Sequence, residues 1–175
     1  MLTIGHSNRS LAEFLETLKA HGVDVLVDVR TVPRSRYNPQ FNREGLPQSL
    51  AAEGIEYLPM PGLGGLRHSQ KDSRNTGWRN LSFRGYADYM ETVEFQSHLD
   101  GLLRLEGRQV AMMCAESVPW RCHRSLIADA LAARGVPVRH IMSATRSYPH
   151  KLTSFARVEG TQVTYPSTGL DLFPV

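Results

Sequence analysis

Two cysteines carry the sharpest chemical signal in the chain. Cys114 directly follows the apolar run Val110-Ala111-Met112-Met113, and Cys122-His123-Arg124 comes a short loop later, past Pro119 and Arg121. A strand, a loop and a helix N-terminus in that order resemble the plan that lowers a thiol pKa in anion-binding thiol enzymes, from about 8.5 to as low as about 3.5. Cys114 is therefore the candidate nucleophile or acid/base, with Glu116 beside it, His123 as its general base and Arg124 gripping an anion. Cys122, at the first turn of the helix, would face the same site. The spacing departs from the phosphatase signature, because the gap from Cys114 to Arg121 is one residue longer and that motif's glycines are absent. The plainer alternative for Cys114 is a small buried hydrophobe at a strand end. Zinc held by Cys114, Cys122 and His123, with His6 or His68 completing the set, is a minority alternative. Adjacent Cys122 and His123 do not readily reach one ion, and no paired C-x2-C supports them. No cofactor is expected.

Other residues suit an anion. His6-Ser7 follows the first apolar run, with His6 a further catalytic candidate and Ser7 suited to the anion, and Asp28 and Arg30 close the second, leading into Arg34 and Arg36. Alternation along a strand puts Asp28 and Arg30 on one face, so Asp28 can orient the guanidinium through a two-point contact. Gly64 and Gly65, after Gly62, would let backbone approach a ligand, although they fit neither the dinucleotide fingerprint nor the Walker loop. From Arg67 to Arg84, five cations interleave with Trp78 and Phe83. Such a stretch could hold phosphates and stack on bases, or it could be a solvated loop with two aromatic anchors.

These residues need elements to gather them. Three segments share one pattern, a helical stretch ending in glycine and followed by a strand-forming run: His21-Gly22-Val23, Glu53-Gly54-Ile55 and Arg134-Gly135-Val136. Glycine just past a helix accepts the left-handed conformation that closes the last turn. Strands are predicted at Leu2 to Gly5, Val23 to Val29, Ile55 to Met60, Gln109 to Met113 and Val136 to Ile141. Ser10 with Glu13 makes a capping box for the first helix, Tyr86 to Leu103 reads as one long or two short helices, and another helix runs from Cys122 to Arg134. Strands alternating with helices predict an α/β, three-layer fold: a mostly parallel sheet of about five strands, helices on both faces, and a small C-terminal hairpin or edge addition. In such a sheet, ligands bind outside the carboxyl ends of the strands, which is where the His6, Arg30, Gly64, Cys114 and Cys122 loops fall.

The length of 175 residues with 41% hydrophobic content predicts a single domain over 1–175. The chain shows neither a basic leader before an apolar run nor an apolar stretch of about 18 residues, so a cytoplasmic protein without membrane attachment is expected. In a reducing compartment a cysteine pair suggests thiol chemistry, metal ligation or packing before a disulfide. Arginine supplies 17 of the 20 basic residues, and its planar fork suits phosphate and carboxylate.

The motifs Thr3-Ile4-Gly5-His6-Ser7, Asp28-Val29-Arg30 with Pro33-Arg34-Ser35-Arg36, Leu63-Gly64-Gly65, and Cys114-Ala115-Glu116 leading to Cys122-His123-Arg124 occur in that order. On these the chain resembles the domain of unknown function 488 family. The resemblance implies a compact α/β domain with those motifs as its hallmark and carries no reaction with it. The expectation from the residues is an anion-binding protein for a phosphate-bearing small molecule, nucleotide or nucleic acid. It would be a cysteine-dependent hydrolase or transferase if catalytic. The alternatives are a non-catalytic nucleic-acid-binding module using the arginine-rich loop, and a metal-binding domain.

Overall fold

Each helix-to-strand join forms at its glycine, and Gly22, Gly54 and Gly135 all take positive φ, at 63°, 74° and 75°. The computed structural model describes residues 1–167, so residues 168–175 of the expected 1–175 domain lie outside the described residues. The elements run β1 (Leu2–Gly5), α1 (Leu11–Ala20), β2 (Val25–Asp28), α2 (Leu46–Ala52), β3 (Glu56–Pro59), α3 (Leu81–Met90) and α4 (Val93–Leu103). They continue with β4 (Val110–Cys114), α5 (Arg124–Ala132), β5 (Arg139–Ser143), β6 (Arg146–Pro149), β7 (Arg157–Glu159) and β8 (Gln162–Thr164). The Ser10 side chain caps α1 by accepting from the Glu13 backbone N–H, as the capping box predicts. Among the described residues no helix is long and apolar enough to cross a membrane.

Six strands form the main sheet in the order β3-β2-β4-β1-β5-β6, all pairings parallel except β5 with β6. The sequence predicts five strands. The sixth, β6, is a mostly exposed edge strand that folds back on β5 after a tight turn. The expected C-terminal hairpin is β7 with β8, which pair with each other as a separate two-stranded sheet.

Alternation divides the core between the two faces. On the first, Ile4, Leu26, Ala111 and Met113 pack beneath Phe14 and Leu18 of α1 and Leu46 and Leu50 of α2. On the second, Val25, Val27, Val110 and Met112 pack beneath α3, α4 and α5. The helices after β1 and β2 therefore lie on one face and the helix after β4 on the other. The helix after β4 thus crosses to the face opposite the helices that follow its neighbours β1 and β2, and a crevice opens at the carboxyl ends of these strands.

A buried polar network fixes α5 to the sheet. The Asp129 carboxylate is fully buried and accepts from Thr153 N–H at 3.0 Å, Thr153 Oγ1 at 2.7 Å, the Tyr165 hydroxyl at 2.8 Å and His150 Nε2 at 2.8 Å. His150 Nδ1 lies 3.0 Å from His140 Nε2, and His140 Nδ1 lies 2.7 Å from Thr3 Oγ1. The first residue of this same helix is Arg124.

Candidate active site

Parallel pairing sets the central contact. Gly5 is the register partner of Cys114, and the β1 exit runs against the β4 exit, with His6 N–H donating to Cys114 O at 3.0 Å and Ser7 N–H to Ala115 O at 2.9 Å. His6 and Cys114 are thus neighbours on one rim. Gly5 has no substitute here, because a Cβ would overlap the Glu116 carbonyl oxygen and crowd the Arg124 guanidinium.

On the first face, Asp28 orients Arg30 as the strand alternation predicts. Arg30 Nε donates to Asp28 Oδ1 at 2.8 Å and Nη2 to Oδ2 at 2.6 Å, while Nη2 also reaches Phe41 O at 2.8 Å. Tyr57 donates its hydroxyl to the same carboxylate at 2.7 Å. His6 stacks on Phe41 with ring centroids 4.3 Å apart. Its Nδ1–H donates to Ser7 O at 2.8 Å, which leaves Nε2 to accept from Arg30 Nη1 at 3.2 Å. Burial pushes the His6 pKa down to about 4, so the ring is neutral near pH 7 with its lone pair already engaged. His6 therefore holds Arg30 in place, a different part from the catalytic one its sequence position suggests.

On the second face, Arg124 is 1% exposed. It donates from Nη1 to Cys114 Sγ at 3.4 Å and from Nη2 to Ser117 O at 2.8 Å. Its Nε has no hydrogen-bond partner, and among the described residues no carboxylate lies within salt-bridge distance of it. Burial, the largest influence, pushes its pKa down to about 10. A guanidinium charged at neutral pH is thus enclosed beside the Cys114 sulfur, with no carboxylate at salt-bridge distance among the described residues.

His123 and Cys122 line the same cleft as Cys114. His123 is expected to serve Cys114 but lies beside Cys122 instead. Its Nε2 donates to Val29 O at 3.2 Å, leaving Nδ1 to face Cys122 Sγ at 3.7 Å, and burial pushes its pKa down to about 4. Cys122, expected to meet the ligand, brings its sulfur into direct contact with that of Cys114, joined as a bridge. The two cysteines form a single unit, in place of separate thiols. Their Cα atoms are 7.7 Å apart, wider than the roughly 4.4–6.8 Å over which disulfides are found.

Two connected clefts of about 430 Å³ each open above these groups, sharing Arg30, Val32, Ala115 and Glu116. The first is walled by Leu66, Phe83 and Tyr86, with Gly65, both cysteines and His123 in its lining. The second is polar and lined by Ser7, Asn8, Arg34, Ser35 and Asn38. Ser7 and Leu66, one in each cleft, are the non-glycine residues with positive φ among those described, at 52° and 57°. Backbone held in that region costs on the order of 1–3 kcal/mol, and such residues concentrate at functional sites. Arg36 is exposed and lines neither cleft, and Gly64 packs against Thr31 behind Gly65.

Most of the arginine-rich loop is tied down. Trp78 stacks on Phe83 and packs against Phe155 and Tyr165. Arg67 lies over the Tyr89 ring, Arg74 pairs with Glu91, and Arg84 donates to Trp78 O. The aromatics are anchors for this segment. Among the described residues, no set of three or more His, Cys, Asp or Glu side chains is placed to hold a metal ion.

Phe41, Tyr57, Tyr86 and Gly5 escaped the sequence reading of the site. Gly5 alone left a signal, as an unexplained glycine between a buried strand residue and His6.

Three depressed histidines have a consequence for stability. His6, His123 and His140 each fall from an ordinary 6.5 to about 4 on burial. Between those values the unfolded chain binds more protons than the native one, so stability rises with pH across that window. The contribution is complete above about pH 6.5 and is lost as pH falls towards about 4. The urea midpoint is expected to drop steadily from pH 7 to pH 4.5, and a flat midpoint over that range would contradict the buried neutral rings.

A family model described as Domain of unknown function DUF488 matches residues 10–131, more than half of the chain. No curated protein and no solved structure matches it.

Proposed function

Since the chain belongs to the DUF488 family, whose description names no reaction, we propose from the site alone that this is a thiol enzyme acting on a phosphate-bearing, nucleotide-like substrate. The observation that carries the reading is Arg124, a buried cation with no carboxylate partner among the described residues and in contact with Cys114 Sγ. A nearby positive charge favours the thiolate. In the reduced protein Cys114 is thus the nucleophile, and Arg124 holds its charge.

The clefts suit a substrate with an apolar ring and an anionic end. Leu66, Phe83 and Tyr86 offer a wall for the ring. Arg30, Arg34 and Ser7 offer cations and polar groups for the phosphate. Asp28 and His6 position Arg30 so that its fork is set before substrate arrives, which spares ordering cost on binding. Cys114 attacks the substrate's electrophilic centre, and the leaving group departs as an anion beside Arg30. Glu116, the carboxylate in the lining of both clefts, takes a proton from the water or acceptor that releases the sulfur-bound group and restores the thiolate.

Alkylation of the reduced protein tests this. The rate at Cys114 should reach half its maximum well below about pH 8.5, the ordinary thiol value. Iodoacetate should outpace iodoacetamide, because a cationic cleft concentrates the anionic reagent. Inorganic phosphate or a nucleoside monophosphate should slow both reactions. A midpoint near the ordinary value, with neither anion preference nor protection, would remove the proposal.

A further inference from the structure

The mechanism leaves Cys122 without a task, yet its sulfur touches that of Cys114, eight residues away in sequence. We propose that Cys122 is the resolving thiol for Cys114, forming with it a peroxide-reactive pair whose bridged state shuts the site. The inference rests on reading Cys114 as an activated thiol.

Each sulfur has its own polar neighbour. Arg124 Nη1 points at Cys114 Sγ, and the partnerless Arg124 Nε leaves that guanidinium with unused hydrogen-bonding capacity. His123 Nδ1 faces Cys122 Sγ with its lone pair, because Nε2 carries the proton given to Val29 O. The arrangement separates the two roles: a cation stabilises the thiolate that attacks first, and a neutral imidazole accepts a hydrogen bond that orients the thiol attacking second.

The chemistry balances with a hydroperoxide as oxidant. Cys114 thiolate attacks the O–O bond; an S–O bond forms and the O–O bond breaks. The rest of the peroxide leaves as alkoxide or hydroxide and takes a proton from solvent to become an alcohol or water, and Cys114 becomes a sulfenic acid. Cys122, oriented by its contact with His123 Nδ1, then attacks Cys114 Sγ as its proton is released. The S–S bond forms, the S–O bond breaks, and hydroxide leaves with that proton as water. A dithiol reductant reverses the closure by exchange, returning two thiols and leaving as its own disulfide.

Closure reaches beyond the sulfurs. The bridge closes a loop that carries Glu116 and Ser117. Glu116 O packs on Gly5, and Ser117 O accepts from Arg124. The bridged state removes the nucleophile from a loop whose carbonyls hold Gly5 and Arg124 in place.

Mass spectrometry of the intact chain decides the matter. After reduction and exposure to stoichiometric hydrogen peroxide, the wild-type protein should lose two hydrogens and both alkylatable thiols, and dithiothreitol should restore them. C122S should stop at a Cys114 sulfenic acid trapped by dimedone and then advance to the sulfinic acid. C114S should leave Cys122 unoxidised, at least about tenfold slower than Cys114 in the wild type. Retention of both thiols after peroxide, a bridge that dithiothreitol does not open, or identical Cys114 products in wild type and C122S would each overturn the proposal. If a variant fails to fold, dimedone mapping of the wild type early in the reaction still tests the order: Cys122 labelled first contradicts it. Bridge formation without phosphate protection sinks the substrate reading alone, and phosphate protection without a bridge sinks this one alone.

Discussion

Arg124→Met is expected to leave the fold as stable as before, or more stable by about 1–3 kcal/mol, while slowing alkylation of Cys114 at pH 7 by about tenfold or more. The two halves of that result have one cause. Taking a guanidinium out of water costs several kcal/mol even after relaxation, and Arg124 recovers little of it, with one bond to a carbonyl, one to a sulfur and none at Nε. Met fills a similar volume without the charge and gives up the Ser117 contact, a loss of about 1 kcal/mol. Cys114 then sits in an apolar environment with no cation, where the neutral thiol is favoured. Urea unfolding and the alkylation profile, measured on the same reduced sample, check both halves. A variant that unfolds more readily yet reacts at the wild-type rate would assign Arg124 to structure and withdraw the thiolate argument.

Pairings between residues near in sequence, or on neighbouring strands, are legible in the sequence. Asp28 and Arg30 are two apart on a strand, so alternation alone sets them side by side. Gly22, Gly54 and Gly135 mark helix ends because their conformation is local. The gathering of His6, Arg30 and Cys114 follows from parallel strands sharing an exit edge. What escaped depends on information a one-dimensional pattern does not hold. β6 is short and mostly exposed, so it shows no apolar alternation. The partner of His123 turns on the rotation of the α5 cap, which the spacing Cys122-His123-Arg124 leaves open. The same rotation sends Arg124 inward against Cys114, where sequence alone allows an outward cation. Phe41 and Tyr57 support Arg30 through contacts across 11 and 29 residues, with no motif to announce them.

Both faces of the sheet thus supply one half of the site, and each half uses charge differently. Arg30 is fully engaged at Nε and Nη2 by a buried carboxylate and a carbonyl, which makes it a rigid fork at the floor of the clefts. Arg124 has no such partner among the described residues, so its field falls on the sulfur. A carboxylate placed beside Arg124 would quench that field, and the Asp28 arrangement shows the fold can supply one where positioning is the need. The difference between the two arginines argues that Arg124 is kept unpaired for a purpose and that Arg30 is paired for another.

Asp129→Ala is expected to cost about 3–5 kcal/mol and to lower the melting temperature by about 10 °C or more. The carboxylate satisfies donors from Thr153, Tyr165 and His150, four bonds in all, and alanine leaves those groups buried with nothing to accept them. A chain of hydrogen bonds runs from Thr3 through His140 and His150 to Asp129. Loss of the terminal acceptor therefore loosens β1, β5, α5 and the C-terminal segment together. Because α5 also carries Arg124, the damage should reach the sulfurs, and Cys114 and Cys122 should become alkylatable at similar rates as the frame that distinguishes them slackens. Asp129→Asn keeps one acceptor oxygen and should fall between the two. A melting temperature unchanged in Asp129→Ala would mean that water replaces the carboxylate, and the network would then carry no weight in holding the helix to the sheet.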